Sequence, residues 1–252
     1  MGKNFEGKVA IVTGGGSGIG QAAAILYATQ GASVVVSDLN EKGGEATVKS
    51  ITDKGGAAIF VKADVSKPAD CENLVAETLK KYGKLDVAFN NAGIGGEANL
   101  VADMSIEGWN KIIAVNLSSV FYCMKYEIAA ILKNGKGAIV NMSSILGSVG
   151  FANSAGYVAA KHGVIGVTQN AAVEYSAKGI RVNAVGPGFI NTPLLTNAGI
   201  DDNMKKGLAA MHPIGRLGEP NEVAELVVWL SSDKASFVTG SYYPVDGGYL
   251  AV

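Results

Sequence analysis

The sequence predicts an α/β protein: one doubly wound domain in which a seven-stranded parallel sheet carries helices on both faces. Three observations indicate this class. Short apolar runs alternate with longer helical stretches along the whole chain. The runs are almost continuously apolar, which is typical of strands covered on both faces and hence of a parallel sheet. No Pro- or Ser-rich linker interrupts the alternation, so residues 1–252 are expected to form a single domain.

The elements follow one another in a regular order. The first predicted strand, residues 9–12, ends at a glycine-rich turn that leads into a helix over 21–30. Further strands are predicted at 33–37, 57–63, 85–89, 138–142, 180–185 and 241–245, and further helices at 41–54, 69–82, 106–133, 157–177 and 221–230. Asn116 is expected to interrupt the longest helix. Residues 186–218 are irregular, and such a stretch in a compact domain is usually functional, so 187–218 is predicted to be a substrate loop.

Composition excludes several classes of function. With 48% hydrophobic and 17% charged residues, the chain is not expected to be disordered. A net charge of −1 argues against nucleic acid or an anionic membrane as a main partner. No apolar run approaches the roughly 20 residues of a membrane span, and no hydrophobic signal region precedes the first strand, so a cytoplasmic protein is expected. The two cysteines and two histidines lack metal-type spacing, and no metal site is predicted.

The turn Thr13–Gly20 is a candidate phosphate site. Glycines let the backbone approach a pyrophosphate, and the following helix start offers unpaired N–H groups. The spacing Gly14-x-x-x-Gly18-x-Gly20 differs by one residue from the common G-x-G-x-x-G pattern, and the Lys and Ser/Thr of a P-loop are missing. A merely flexible turn is the alternative. Its position directly after the first strand favours dinucleotide binding.

Asp38 ends the second predicted strand and bears on the choice of cofactor. A carboxylate there would reach the ribose hydroxyls of NAD and repel the additional phosphate of NADP. No Arg or Lys in residues 15–18 or at Leu39 would compensate. Asp38 could instead cap the next helix, but Asn40 could fill that role equally well. The sequence therefore predicts NAD.

Tyr157 and Lys161 stand four residues apart and predict a proton-transfer centre. A tyrosine has a reference pKa of about 10, and a cation one helical turn away favours the phenolate. Ser144, which precedes them, could hold a substrate oxygen beside the phenol. A chance surface pair is the alternative, since Tyr-x-x-x-Lys occurs in many helices.

Together these motifs resemble the short-chain dehydrogenase/reductase family, in its branch of about 250 residues, and the resemblance covers essentially the whole chain. It implies a Rossmann-type fold. The matching positions are Thr13-Gly14-x-x-x-Gly18-x-Gly20, Asp64-Val65, Asn90-Asn91-Ala92-Gly93, Asn116, Ser144, Tyr157-x-x-x-Lys161, Pro187-Gly188 with Thr192, and Asp246-Gly247-Gly248.

The resemblance implies four catalytic roles. Tyr157 would be the general acid/base, and Ser144 would hydrogen-bond the reacting oxygen. Lys161 would bind the nicotinamide ribose and lower the pKa of Tyr157. Asn116 would hold a water that links Lys161 to solvent, although an Asn within a helix can also simply solvate a kink. Ser143 competes with Ser144, which is preferred because its separation from Tyr157 resembles the family spacing.

The resemblance also implies cofactor and substrate contacts. NAD would be bound by Gly14, Ser17, Gly18, Ile19, Asp38, Leu39, Asp64, Val65, Asn91, Ala92, Gly93, Tyr157, Lys161, Pro187, Gly188, Ile190 and Thr192. The substrate would meet Ser144, Ile145, Phe151, Tyr157 and Phe189.

The expected reaction is NAD-dependent hydride transfer between a secondary alcohol and its ketone. Mostly apolar walls favour a small or medium apolar substrate, cyclic ones included, because some segments look similar to family members that act on cyclic alcohols and diols. A sugar dehydrogenase or a 3-oxoacyl reductase would keep the same catalytic residues. A non-catalytic NAD-binding sensor is the alternative from another class. The family is usually tetrameric, so a homotetramer is expected.

Overall fold

The computed structural model of the protein describes residues 4–197 and 199–252. Within them, seven strands form one sheet in the order β3-β2-β1-β4-β5-β6-β7, and every neighbouring pair is parallel. The strands are β1 Val9–Thr13, β2 Ser33–Asp38, β3 Ala57–Lys62, β4 Val87–Asn90, β5 Gly137–Met142, β6 Ile180–Pro187 and β7 Tyr242–Val245. The predicted seven-stranded, doubly wound sheet is confirmed.

Helices cover both faces of this sheet, as the continuous apolar character of the strands predicts. They are α1 Gly18–Thr29, α2 Glu41–Thr52, α3 Pro68–Tyr82, α4 Ile106–Ile113, α5 Ser119–Lys133, α6 Ala155–Tyr175, α7 Pro193–Asn197, α8 Asp202–Ala210 and α9 Pro220–Ser231. One core layer lies between the sheet and α1 and α9. The other lies between the sheet and α3, α5 and α6.

The strand order reverses direction between β1 and β4, and this reversal creates the ligand crevice. In doubly wound sheets a ligand binds at the carboxyl ends of the strands at such a switch point. The crevice is braced by Thr13 at the end of β1, whose hydroxyl accepts hydrogen bonds from the backbone N–H groups of Asn91 (3.0 Å) and Ala92 (3.1 Å). The glycine-rich turn and the Asn90–Gly93 segment therefore lie side by side.

The predicted interruption of the long helix at Asn116 is confirmed. Residues Ala114–Ser118 form a π-helical turn between α4 and α5. The Asn116 side chain is fully buried and bonds the backbone of Ile94 twice, accepting from its N–H and donating to its carbonyl, each at 2.9 Å. This side chain ties the helix pair to the segment that follows β4.

The prediction that residues 186–218 are irregular is wrong in part. β6 continues to Pro187, and the segment contains α7 and α8. Asp201 caps α8 by accepting a hydrogen bond from the Met204 N–H at 2.8 Å. Both helices are short, at five and nine residues, and neither buries a residue. Residue 198 of this predicted loop and residues 1–3 of the predicted domain lie outside the described residues. No helix of the described chain is both long and apolar enough to cross a membrane.

Candidate active site

The three predicted proton-transfer residues meet at the carboxyl end of β5. Ser144 stands two residues beyond the end of that strand, and Tyr157 and Lys161 lie in the first turns of α6. The Ser144 side chain hydrogen-bonds to the Tyr157 phenol. The Lys161 Nζ atom lies 5.4 Å from the centroid of the Tyr157 ring and donates to the Met142 carbonyl at 2.8 Å. Strand end and helix start thus bring together side chains that are distant in sequence.

Burial controls the ionisation of this cluster. Burial raises the pKa of Tyr157 above its ordinary value, and the hydrogen bond with Ser144 lowers it in part. Burial also lowers the pKa of Lys161 to about 8, since this side chain is only 3% exposed. The prediction that Lys161 pulls the pKa of Tyr157 down is therefore wrong for this structure, in which desolvation dominates and the ammonium is directed to the Met142 carbonyl.

The two adjacent serines have different partners. The Ser143 hydroxyl donates to the Lys161 carbonyl at 2.9 Å, deep in the core. The Ser144 hydroxyl accepts from the Leu146 N–H at 3.2 Å and faces the Tyr157 phenol. This arrangement supports the choice of Ser144 over Ser143 as the residue beside the reacting oxygen.

Asn116 joins the cluster through Gly93. A Cβ atom at Gly93 would lie 2.6 Å from the Asn116 side-chain oxygen and 3.8 Å from Lys161 Nζ. The absence of a side chain at Gly93 therefore lets the π-helical turn, the end of β4 and the lysine approach one another. The structure brings all four predicted catalytic residues into one neighbourhood.

The glycine-rich turn is folded tightly against the β4 segment. The Asn91 side-chain amide donates to the carbonyls of Thr13 (3.0 Å) and Gly14 (3.2 Å). Gly14 has a φ of +61°, and its Cβ would collide with Asn91 and Ala92, so only glycine fits there. Ser17 is the N-cap of α1 and makes no side-chain capping bond within the described chain. Ile19 follows in the first turn of α1.

Asp38 faces the same turn. One carboxylate oxygen accepts from the Gly16 N–H at 2.9 Å and the other from the Asn40 N–H at 2.8 Å. Asn40 is the N-cap of α2, with its side chain accepting from Gly43 N–H at 3.1 Å. Asp38 is thus not needed as the cap, and its carboxylate is held at the edge of the crevice next to exposed Leu39.

The Asp64–Val65 segment follows β3 at the carboxyl edge of the sheet. The Asp64 carboxylate accepts hydrogen bonds from Ser66, which lower its pKa. The Val65 carbonyl accepts from the Cys71 thiol at 3.3 Å, and Cys71 Sγ lies 3.6 Å from Cys123 Sγ. Both thiols are buried and free. The contact between Cys71 and Cys123 results from the packing of α3 against α5, and their separation in the sequence does not indicate it.

The segment after β6 returns to the glycine-rich turn. Gly188 donates its N–H to the Val245 carbonyl at 3.0 Å, immediately after Pro187 ends the strand. Ile190 is 6% exposed and bridges to Gly218. A Cβ at Gly18 would lie 3.2 Å from the Thr192 methyl group, so Thr192 closes over the start of α1. Thr192 therefore lies against the glycine-rich turn, although it is distant from that turn in sequence.

Comparison with known proteins decides the family. A sequence model described as "Enoyl-(Acyl carrier protein) reductase" matches residues 14–250. Cyclohexanol dehydrogenase from Acinetobacter sp. (strain SE19) is 52% identical over 249 residues, which cover 99% of this chain and 97% of that protein. The chain belongs to the short-chain dehydrogenase/reductase family. The predicted resemblance is confirmed, and the chain is a dehydrogenase of this family.

Further members of the short-chain dehydrogenase/reductase family match over the whole chain. Cis-4-hydroxycyclohexanecarboxylate dehydrogenase from Sinomonas cyclohexanicum is 45% identical over 252 residues and covers 100% of both chains. The crystal structure of levodione reductase superposes with a TM-score of 0.94 at 38% identity, covering 98% of this chain and 99% of that one. The Rossmann-type architecture is thus shared with solved members of the family.

Dehydrogenases of this family use nicotinamide cofactors, and the crevice fits one. The glycine-rich turn offers a backbone cradle that side chains would fill, as at Gly14 and Gly18. The Asp38 carboxylate borders it on one side. Lys161 supplies a buried ammonium at the other end. A phosphate group, ribose hydroxyls and a nicotinamide ring would each find suitable partners along this line.

Two of the predicted substrate residues of this short-chain dehydrogenase/reductase contact each other, and a third is buried. Phe151 and Phe189 pack edge to face with ring centroids 5.9 Å apart. Ile145 is 1% exposed, so its side chain offers no surface to a substrate in this structure. The residue belongs to a 3₁₀ turn, Ile145–Gly147, that folds into the core.

Three residues at this end of the molecule, His212, Tyr242 and Tyr249, carry no signal of a site in the sequence. His212 accepts a hydrogen bond from the Phe189 N–H at Nε2 (3.1 Å) and is paired with the Leu208 carbonyl at Nδ1 (2.9 Å). The rings of His212 and Tyr249 both contact Phe189. Tyr242, from β7, donates to the Ser144 carbonyl. No spacing rule connects these residues, because they are brought together by β7 and by the segments that follow α8 and β7.

Proposed function

We propose that this protein is an NAD-dependent dehydrogenase that interconverts a small or medium apolar secondary alcohol, preferably cyclic, and its ketone. The proposal rests on the cluster of Ser144, Tyr157 and Lys161 at the carboxyl end of β5. A hydroxyl, a phenol and a buried ammonium next to a dinucleotide cradle suit alcohol–ketone chemistry and no nucleophilic hydrolysis.

Each residue of the cluster has a proposed role. Tyr157 exchanges a proton with the substrate oxygen, and Ser144 holds that oxygen by a hydrogen bond. Lys161 binds the nicotinamide ribose. Asn116 keeps a water in place between Lys161 and solvent. The bound nicotinamide supplies or accepts the hydride. Because the pKa of Lys161 falls to about 8, its proton is readily exchanged at mildly alkaline pH.

We propose NAD rather than NADP as the cofactor because the Asp38 carboxylate lies at the edge of the crevice. Both of its oxygens accept backbone N–H groups, which fixes the carboxylate at the edge of the crevice. The additional phosphate of NADP would meet this negative charge. The remaining cofactor contacts are proposed as predicted from the sequence, with Asp64 and Val65 at the adenine, Asn91 to Gly93 along the cofactor, and Ile190 and Thr192 at the carboxamide.

A cyclic substrate is proposed from the site wall and from the relatives. Phe151 and Phe189 offer flat apolar faces against which a ring can pack. The relatives described above are named for cyclohexanol, for cis-4-hydroxycyclohexanecarboxylate and for levodione. A sugar would require more polar partners than this wall offers. A 3-oxoacyl reductase usually uses NADP, and an enoyl reductase of this fold resembles Tyr-x6-Lys, whereas Tyr157 and Lys161 are four residues apart.

The test is an activity screen of the purified protein with NAD and with NADP. Cyclohexanol and substituted cyclohexanols are compared with linear secondary alcohols, sugars and 3-hydroxyacyl substrates, and NADH formation is followed by absorbance. NAD-dependent turnover that is highest for cyclic alcohols is expected. NADH binding without turnover on any member of the panel would instead identify a sensor.

A homotetramer in the cytoplasm is proposed as the working form. Phe121 is 52% exposed and Val173 is 86% exposed on the long helices α5 and α6, which suits burial against other subunits. Light scattering should give a mass about four times the 25.8 kDa of one chain, and a mass near that of one chain would contradict the assembly. Two buried free thiols, at Cys71 and Cys123, support a reducing compartment.

A further inference from the structure

Tyr242 reaches from the last strand of the sheet to the segment that carries Ser144. Its hydroxyl donates to the Ser144 carbonyl at 2.8 Å. The Ser148 side chain, at the far end of the same segment, also hydrogen-bonds to this hydroxyl. A residue 98 positions away in sequence therefore holds both ends of the loop that presents the predicted catalytic hydroxyl.

Small residues on β6 leave room for the Tyr242 ring to cross that strand. Tyr242 pairs with Ala184 in the register of β6 and β7, and the next residue of β6 on the same face is Gly186. A Cβ at Gly186 would collide with the Tyr242 ring and its hydroxyl. The ring thus crosses β6 where no side chain stands, and this crossing is what allows the hydroxyl to reach the end of β5.

The Ser144 carbonyl accepts two hydrogen bonds, and only the one from Tyr242 connects it to the sheet. Gly147 also donates to the Ser144 carbonyl at 2.8 Å, but it belongs to the same 3₁₀ turn. A bond inside the turn moves with the turn and cannot fix it relative to the sheet. Tyr242 belongs to the sheet itself. Burial raises the pKa of Tyr242, so its hydroxyl stays a donor at the alkaline pH at which alcohol oxidation is commonly assayed.

We propose that Tyr242 is a positioning residue, which fixes the Ser144 hydroxyl against the Tyr157 phenol by holding the Ser144 peptide to the sheet. This inference rests on the proposed function. It concerns a residue that does not itself touch the reacting atoms. A reacting group displaced by about 1 Å loses on the order of 100-fold in rate. Losing the Tyr242 bond leaves the Gly147 bond to the Ser144 carbonyl, so we expect Ser144 to move by less than about 1 Å.

The test is Tyr242→Phe, which removes one oxygen atom, with Tyr243→Phe as the matched control. Tyr243 is the next residue of β7, so its side chain points to the opposite face of the sheet, where it packs against the core beside α1 and α9. For Tyr242→Phe we expect kcat with cyclohexanol and NAD to fall by about tenfold, with the KM for NAD changed by less than about twofold. The control should keep wild-type kinetics.

The pH profile separates positioning from a general loss of structure. The Ser144 bond lowers the pKa of Tyr157. When Ser144 is loosened, the limb of the kcat/KM profile that reports Tyr157 should move to higher pH in Tyr242→Phe and stay in place in Tyr243→Phe. Equal kcat and equal profiles in the two variants would overturn the proposal, as would a rate loss without a shift of the limb. A wild-type protein inactive on every alcohol would refute the proposed function instead.

Discussion

Glu127 should make the stability of this protein depend on pH. The side chain is fully buried on α5, and one of its oxygens accepts from the Asn90 amide at 3.0 Å. Its other oxygen and the Asn90 carbonyl oxygen have no partner among the described residues. Burial raises the pKa of Glu127 to about 7, against the opposing effect of the Asn90 bond. Protonation would provide a donor in a cluster that holds two unpaired acceptors.

The sign and the size follow from linkage. The folded pKa of about 7 lies above the reference value of 4.5, so the folded protein binds the proton more tightly than the unfolded chain. The stabilisation is fully present below pH 4.5 and is lost as pH rises through 7. At about 1.4 kcal/mol for each pKa unit, the loss amounts to about 3 kcal/mol between pH 4.5 and pH 8.

The assay is urea unfolding of the wild type and of Glu127→Gln at fixed protein concentration between pH 5 and pH 8. Glutamine does not titrate, so the stability of the variant relative to the wild type should improve by about 2.5 kcal/mol as the pH rises from 5 to 8. Glu225→Gln, an exposed position on α9, is the control and should show a constant difference. Lys161, with its lowered pKa of about 8, affects stability mainly above this window. A pH-independent difference for Glu127→Gln would refute the reasoning.

Two further predictions concern the cofactor and the substrate. Asp38→Asn removes the charge and keeps an acceptor for one of the two backbone N–H groups, so the preference for NAD over NADP in kcat/KM should fall at least about tenfold. An unchanged ratio would show that Asp38 does not select the cofactor. His212→Leu leaves the Phe189 N–H without its partner and should raise the KM for cyclohexanol about tenfold, whereas His212→Gln should be affected less. His162→Leu is the control, because exposed His162 bonds the backbone carbonyl four residues before it, as His212 does with Leu208. If the KM of His162→Leu for cyclohexanol equals that of His212→Leu, the role of His212 is contradicted.

The sheet could be predicted because its strands are buried on both faces. Continuous apolar runs place β1, β2 and β5 in the chain, and the position of the glycine-rich turn directly after β1 fixes where a dinucleotide would lie. The break at Asn116 was also predictable, since it follows from a polar residue inside a long helical pattern. These features depend on residues that are close together in sequence.

Features that depend on long-range packing could not be predicted. Glu127 lies in Lys125-Tyr126-Glu127, which has the composition of an ordinary exposed helix face, and only the packing of α5 on the sheet shows that it is buried. The contact of Cys71 with Cys123 arises from the same packing. The helix α8 is only nine residues long and buries no residue, so it lies outside the pattern of long core-covering helices.

The predicted direction of the pKa shift of Tyr157 is wrong for a related reason. Helical spacing places Lys161 near Tyr157, but it does not show how deeply both groups are buried or that the ammonium bonds to the Met142 carbonyl. Burial raises the pKa of the phenol more than its hydrogen bond with Ser144 lowers it. The closeness of Lys161 alone therefore predicts the wrong direction for the pKa shift of Tyr157 in this structure.

The most direct test of the proposed function is Tyr157→Phe assayed with cyclohexanol and NAD. Wild-type protein should reduce NAD, and the variant should lose on the order of 1,000-fold in kcat while binding NADH with an unchanged Kd, since only a proton-transfer group is removed. Tyr175→Phe, at the other end of α6, is the control and should keep wild-type turnover. Substantial turnover by Tyr157→Phe would contradict the assignment of Tyr157 as the acid/base.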